Sequence, residues 1–136
     1  MTYLLDTCAL SDYIKGDRPT MSRLKAQQPS NIYISTVTKF EIEYGLQLKP
    51  SIVKKVAPQL EEIYRKTKTV DFTSVEAKTT ATIRSTLKKI GQPIGFYDLL
   101  IAGTAATHGL IVVTSNVDEF SRVMDLKIED WRTLHN

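Results

Sequence analysis

The sequence predicts an α/β domain whose central sheet is mainly parallel. Short apolar runs end at Asp6, Ser35 and Thr114, and segments with helical spacing separate them. Strands that alternate with helices form parallel sheets, because each helix carries the chain back to the edge where the previous strand began. At 136 residues the chain has the length of one ordinary domain, so we expect residues 1–136 to form a single domain.

The elements can be placed along the chain from local patterns. Apolar, β-rich runs predict strands at residues 3–5, 32–34, 68–72, 110–114 and 126–128. Helical spacing predicts helices at residues 9–14, 19–26, 38–49, 51–66, 73–90, 99–108 and 116–120.

Some helix starts and faces follow from individual residues. Two capping-box patterns, Thr38 with Glu41 and Thr73 with Glu76, each predict the start of a helix, and Asp98 is predicted to open another. The helix that starts at Thr73 is predicted to turn one set of side chains inward: Val75, Thr79, Ile83, Leu87 and Ile90.

Composition excludes several classes of protein. No stretch approaches the ~20 apolar residues of a membrane span, and the first residues lack a signal-peptide pattern, so we expect a soluble, cytoplasmic protein. Cys8 is the single cysteine, and with only His108 and His135 it cannot form a zinc site. Any metal must therefore be held by oxygen ligands. We expect Cys8 to be a small core residue rather than a nucleophile.

The positive charge of the chain is concentrated in one region. The net charge is +3, and residues 54–89 carry nine basic residues against four acids. Such a region can bind the phosphates of a nucleic acid, and it is equally well explained as the solvated faces of helices.

Acidic residues come from four segments that a parallel sheet would bring to one edge. Asp6 ends the first strand, Glu41 lies in the helix after the second strand, and Asp98 precedes the fourth strand. Asn116, Asp118 and Glu119 follow that fourth strand. In open parallel sheets the functional crevice lies beyond the carboxyl ends of the strands. We therefore expect these side chains to meet there.

Grouped carboxylates favour a divalent metal. Like charges at close range raise one another's pKa, and Mg²⁺ or Mn²⁺ would neutralise them while activating water for phosphodiester hydrolysis. Each acid alone is almost as well explained by helix capping, especially Asp98. The order of all four segments is more specific than any one member.

Other phosphate chemistry fits less well. An aspartyl-phosphate mechanism normally needs a second aspartate two residues after Asp6, where Cys8 stands, and a cysteine phosphatase needs an arginine at the position of Ile14. The glycine-rich phosphate-binding motifs are also absent from the sequence.

Four motifs together resemble the PIN-domain family, and within it the VapC-type toxins of bacterial toxin–antitoxin pairs. They span residues 5–8, 34–45, 94–102 and 114–120, and the pattern continues to Trp131, so the resemblance covers nearly the whole chain. Two departures concern the second metal site: Cys8 replaces a frequent asparagine, and an acid that some relatives have near Thr86 is missing.

The resemblance implies a fold, an activity and partners. The fold is a three-layer α/β/α domain. The activity is that of a Mg²⁺-dependent endoribonuclease, with Mn²⁺ as a possible substitute, acting on structured RNA such as tRNA or rRNA. The partners are a cognate antitoxin bound across the active-site groove and a second copy in a homodimer. The alternative is a catalytically inactive PIN-like module that binds RNA or protein.

The resemblance also implies roles for individual residues. Asp6, Glu41 and Asp98 match the metal-binding acids, and Glu119 matches a fourth acid for which Asn116 and Asp118 compete. We hypothesise that Asp6 and Asp98 hold the principal metal, Glu41 orients its water, and Glu119 or Asn116 completes the shell. The hydroxyl residues Thr114, Ser35 and Thr38 are candidates for hydrogen bonds to these groups, or are explained as strand ends and caps.

Overall fold

The computed structural model describes residues 1–132, and the predicted elements are present with shifted bounds. The strands are β1 (Tyr3–Leu5), β2 (Ile32–Ser35), β3 (Lys68–Val70), β4 (Ile111–Val113) and β5 (Ile128–Glu129). The helices are α1 (Thr7–Lys15), α2 (Arg18–Lys25), α3 (Thr36–Leu48), α4 (Val53–Lys66), α5 (Ser74–Lys89), α6 (Phe96–His108) and α7 (Val117–Phe120). Short 3₁₀ turns cover Pro29–Asn31 and Pro50–Ile52. His135 lies outside the described residues.

The five strands form one sheet in the order β3-β2-β1-β4-β5, and every neighbouring pair is parallel. The predicted parallel sheet is therefore confirmed. Leu5 pairs with Ile34 of β2 on one side and with Val113 of β4 on the other. The residue that follows Leu5 consequently lies at the middle of the carboxyl edge.

Helices cover both faces of the sheet. Alternate residues of β1 point to opposite faces, so Tyr3 and Leu5 enter one core and Leu4 enters the other. The first core is completed by side chains from α1, α3 and α4, and the second by side chains from α5, α6 and α7. The three-layer α/β/α arrangement is confirmed. Among residues 1–132, no helix has the length and apolar character needed to cross a membrane.

One of the two predicted capping boxes is wrong. Helix α3 begins at Thr36, and its cap is Ser35, whose Oγ accepts the N–H of Val37 at 3.0 Å. Because a good cap residue already stands at the end of β2, the helix starts two residues earlier than predicted, and Thr38 is buried inside it. The second box is confirmed, since Glu76 accepts the N–H of Thr73 at 2.8 Å.

The predicted inward face of α5 is partly wrong. Val75 and Ile90 are exposed, whereas Glu76, Thr80 and Leu87 are buried. The physical reason lies in α6: a Cβ at Gly103 would stand only 1.8 Å from the Thr80 hydroxyl oxygen, so the missing side chain admits Thr80 at close range. The close packing of α5 against α6 turns Glu76 inward, where His108 Nε2 lies 2.5 Å from Glu76 Oε2.

Candidate active site

Asp6 lies at the centre of the carboxyl edge and is almost completely buried. Its backbone N–H donates to Val113 at 3.1 Å, which extends the pairing of β1 with β4. Its side-chain Oδ1 accepts the N–H of Ala9 at 2.8 Å and so caps α1. One carboxylate oxygen is therefore used to start the helix, and the other takes no part in the cap.

The second oxygen of Asp6, Oδ2, is buried and has no hydrogen-bond partner of normal geometry among residues 1–132. Burial raises the pKa of Asp6 to about 7. The nearby Thr114 hydroxyl and the Ala9 N–H act to lower this pKa, while the charges of Asp98 and Asp12 act to raise it. A buried carboxylate oxygen without a donor is unfavourable unless a cation or a proton satisfies it.

Asp98 is joined to the loop after β4 by a side-chain hydrogen bond. Helix α6 begins at Phe96 rather than after Asp98 as predicted, because the chain is held at Gly95, whose N–H donates to Glu119 at 2.6 Å. Asp98 therefore lies in the first turn, and its Oδ2 accepts Nδ2 of Asn116 at 2.6 Å. Burial raises the pKa of Asp98, helped by the charge of Glu119 and opposed by the Asn116 hydrogen bond.

Glu119 has a donor on each oxygen. Oε1 accepts the Gly95 N–H, and Oε2 accepts Nδ2 of Asn116 at 3.1 Å. The Gly95 and Asn116 hydrogen bonds lower the pKa of Glu119. Asn116, the N-cap residue of α7, makes no capping hydrogen bond with its side chain. Asp118 is not brought to this group, since its side chain is exposed and pairs with Arg122 at 3.5 Å.

Glu41 is half-buried on α3 and is held by a residue that sequence reasoning missed. Thr7 Oγ1, at the start of α1, donates to Glu41 Oε1 at 2.5 Å. The available signal was a hydroxyl directly after Asp6, which the strand-to-helix turn carries to the same edge. Glu41 therefore serves a contact across the site and not the predicted cap.

The three hydroxyl residues behave differently from one another. Thr114 Oγ1 accepts the N–H of Asn116 at 2.8 Å and lies next to Asp6, so it supports the site. Ser35 acts as the cap of α3. The Oγ1 of Thr38 is buried and has no hydrogen-bond partner within the described chain.

Cys8 is exposed, and its prediction as a core residue is wrong. Cys8 is the second residue of α1, and the two residues that follow it, Ala9 and Leu10, are the ones that enter the core. Desolvation and then the charge of Asp6 raise the pKa of the Cys8 thiol, while Ser115 acts to lower it. A thiol with a raised pKa is a poor nucleophile at neutral pH.

The fold and this arrangement agree with one known family. The sequence model of the PIN domain family matches residues 3–126 of this chain, and this range includes every candidate residue. The chain belongs to the PIN domain family.

Relatives with this PIN domain match over nearly their full length. The chain is 32% identical to a tRNA(fMet)-specific endonuclease VapC of Salmonella typhimurium over 136 residues, with 96% of this chain and 98% of the relative covered. It is 32% identical to Ribonuclease VapC2 of Haemophilus influenzae over 133 residues, with the same coverage. Among solved structures, VapBC2 of Rickettsia felis bound to a promoter DNA fragment matches with a TM-score of 0.87, 28% identity, and 96% and 99% of the two chains covered.

The described residues of the PIN domain satisfy part of what a divalent metal requires. No three carboxylate, histidine or cysteine side chains within residues 1–132 stand close enough together to form a metal site. What fits a cation is the buried Oδ2 of Asp6, which has no hydrogen bond of normal geometry within the described residues and lies beside the charge of Asp98. The donors are oxygens, which suit Mg²⁺ or Mn²⁺. The ligand set of Asp6, Glu41, Asp98 and Glu119 or Asn116 stays a prediction.

Proposed function

We propose that this PIN-domain protein is a divalent-metal-dependent endoribonuclease and the toxin of a type II toxin–antitoxin pair. The ribonuclease class is supported by family membership and by full-length relatives named as ribonucleases. The observation that carries the proposal is Asp6, which caps α1 with one oxygen and leaves the other buried, with no hydrogen bond of normal geometry within residues 1–132, at the centre of the carboxyl edge.

We assign the metal to Asp6 and Asp98, with Mg²⁺ as the physiological ion and Mn²⁺ as a substitute. When bound, such an ion activates water and stabilises the leaving oxygen of a phosphodiester. The chain supplies the positioning. Thr7 holds Glu41, which would help to orient the water of a bound ion, Asn116 holds Asp98, and Glu119 holds both Asn116 and the backbone at Gly95.

We further propose the partners of this nuclease. The substrate is structured RNA such as tRNA or rRNA, in line with a relative named as specific for tRNA(fMet). The inhibitor is a cognate antitoxin, in line with the VapBC complexes whose toxin chains share this fold. Such an inhibitor would bind across the groove beside Asp6 and Glu41.

The proposed homodimer has a candidate surface. Four aromatic side chains, Phe40, Tyr44, Phe96 and Tyr97, are exposed on α3 and α6. The ring centroids are 6.4 Å apart for Phe40 and Tyr44, 6.0 Å for Phe40 and Tyr97, and 5.6 Å for Phe96 and Tyr97. Exposed aromatic groups of this kind are enriched at protein interfaces. We call these four residues the aromatic patch.

The test of function is Asp6→Asn. Asparagine keeps an oxygen for the Ala9 N–H and is a good cap, so the fold should be retained, while the negative charge is lost. We expect RNA cleavage in Mg²⁺ or Mn²⁺ to fall by more than about 100-fold. We also expect the rise in melting temperature on adding metal to disappear.

A matched control is available in the next helix. Asp17 caps α2 through the N–H of Thr20 at 3.1 Å, and the same change, Asp17→Asn, makes the same chemical substitution outside the site. This variant should cut RNA as the wild type does. Wild-type cleavage by the Asp6→Asn variant would refute the role of Asp6.

The alternative is a PIN-like module that binds RNA or protein without cleavage. The retention of Asp6, Glu41 and Asp98 at the carboxyl edge argues against it. RNA binding by the purified, antitoxin-free wild type, with no cleavage in either metal and no toxicity on expression, would favour it.

A further inference from the structure

A cavity of about 650 Å³ lies between α5 and the loop that precedes α6, outside the acidic group. Its floor is apolar and is formed by Leu87, Ile94 and Leu99. Its rim carries two cations from successive turns of α5, Arg84 and Lys88. A volume of this size lies in the range of ligand-binding clefts.

The two cations are available to a ligand. Both are exposed, and neither side chain has a hydrogen-bond or ion-pair partner anywhere in residues 1–132. This contrasts with Lys66, which is paired with Glu62 at 2.8 Å, and with Arg122, which binds Asp118 and the Pro93 carbonyl. Arginine presents a planar set of donors that matches a phosphate group, and lysine adds a compact positive charge.

The cavity is connected to the acidic group by a short, well-anchored segment. Pro93 and Ile94 line the cavity, and the next residue, Gly95, donates to Glu119. Leu99 lines the cavity, and the residue before it is Asp98. Arg122 holds the other side of the segment by donating to the Pro93 carbonyl at 2.8 Å. A chain of phosphates that passes Asp98 can therefore continue past Arg84 and Lys88.

We infer that Arg84 and Lys88 form a subsite for a backbone phosphate of the RNA, next to the phosphodiester that is cleaved. The apolar floor accommodates the attached sugar and base. This inference rests on the proposed ribonuclease function and selects two of the nine basic residues between positions 54 and 89. The positive charge of α4, by contrast, is placed across the sheet on the other core.

The test compares two double variants of the full chain that remove the same charge. Arg84→Gln with Lys88→Gln removes the subsite. The control, Lys25→Gln with Arg65→Gln, removes two exposed cations near Glu62. Lys25 ends α2 and Arg65 lies in the last turn of α4, where the chain approaches the opposite edge of the sheet. Affinity for a short, fluorescein-labelled, single-stranded RNA of mixed sequence is measured by anisotropy over a range of salt, with a chelator present to prevent cleavage.

We expect the subsite variant to bind on the order of tenfold more weakly at low salt and to lower the slope of log K against log salt by about 0.7, because the subsite holds one phosphate and each phosphate contact on a single strand contributes about 0.7. The control variant should match the wild type. With metal present, the subsite variant should show a raised KM for RNA and an unchanged kcat, as expected for a contact made equally in the ground and transition states.

Equal slopes for the subsite variant and the wild type would overturn the inference, as would an equal loss in the control. Unchanged RNA affinity with lost affinity for the purified antitoxin would assign the surface to the protein partner and overturn it too. If the wild type binds RNA without cutting it, and the subsite variant still shows a smaller slope of log K against log salt, the ribonuclease proposal fails and the subsite stands.

Discussion

At the scale of single residues, the geometry of Asp6 allows helix capping and the proposed metal binding at the same time. Oδ1 accepts the Ala9 N–H and begins α1, whereas Oδ2 is buried with no hydrogen bond of normal geometry within residues 1–132. A serine or threonine would supply the cap but no second oxygen of this kind. Helix capping alone would not select an acid at this position, whereas the proposed metal site would.

The contact between Thr7 and Glu41 gives a prediction at this scale. Thr7→Val removes the hydroxyl that donates to Glu41 Oε1 and keeps the volume of the side chain. We expect kcat for RNA cleavage to fall by roughly 10- to 100-fold, the usual cost of losing a group that orients a ligand. Thr7→Ser restores the hydroxyl and should restore most of the rate. Failure of serine to do so would show that the methyl group, and not the hydrogen bond, matters.

At the scale of elements, the contact between α5 and α6 determines which residues of α5 are buried. Gly103 and Thr80 approach so closely that no side chain fits at position 103. Apolar spacing along α5 predicted a face that includes Val75 and Ile90, and both are exposed. The apolar spacing of α5 cannot reveal this contact, because the glycine that permits it belongs to another helix.

Gly103→Ala should therefore destabilise the protein. The new Cβ would lie 1.8 Å from Thr80 Oγ1 and 2.8 Å from Thr80 Cβ, so the helices must separate, at a cost of about 1–3 kcal/mol in the free energy of unfolding. Urea denaturation measures the change. Adding Thr80→Ala should recover part of the loss, because it removes the nearest atom.

Gly45→Ala in α3 is the matched control. Nothing lies within 4 Å of a Cβ at that position, so alanine should stabilise the helix by about 0.5–1 kcal/mol through its higher helix propensity. Equal destabilisation by both changes would mean that close packing at Gly103 is not the cause.

The buried Glu76 links α5 to α6 and makes stability depend on pH. Its hydrogen bonds, above all from Thr73, lower its pKa from 4.5 to about 2. This contribution is fully present above pH 4.5 and is lost as pH falls from 4.5 toward 2, because the unfolded chain then binds the proton more readily. We expect the free energy of unfolding to fall by about 1–3 kcal/mol over this window.

Glu76→Gln should remove most of this dependence and lower stability at neutral pH. Glu62→Gln is its control, since Glu62 is an exposed partner of Lys66 and should change stability little. An unchanged pH dependence in Glu76→Gln would assign the acid sensitivity to other carboxylates.

At the scale of the whole molecule, the aromatic patch lies beside the acids. Phe40 precedes Glu41 on α3, and Tyr97 precedes Asp98 on α6. A dimer formed through this patch would place two active sites near one another. We expect Phe40→Ser with Tyr97→Ser to convert a homodimer into monomers, as measured by sedimentation equilibrium. Met124→Ser, at an even more exposed apolar residue outside the patch, should leave the dimer intact. A dimer that persists in the double variant would place its interface elsewhere.

The sequence by itself determined the α/β class, the parallel sheet and the four segments that carry the acids. Strand and helix periods are local, and the ends of parallel strands must share an edge. Only the tertiary structure decided the contacts made there. The tertiary structure paired Thr7 with Glu41 and gave both oxygens of Glu119 a donor. It separated Asp118 from the acidic group. It also placed Arg84 and Lys88 beside the loop that leads to Asp98. These outcomes depend on how helices distant in sequence pack across the sheet, which no local pattern contains.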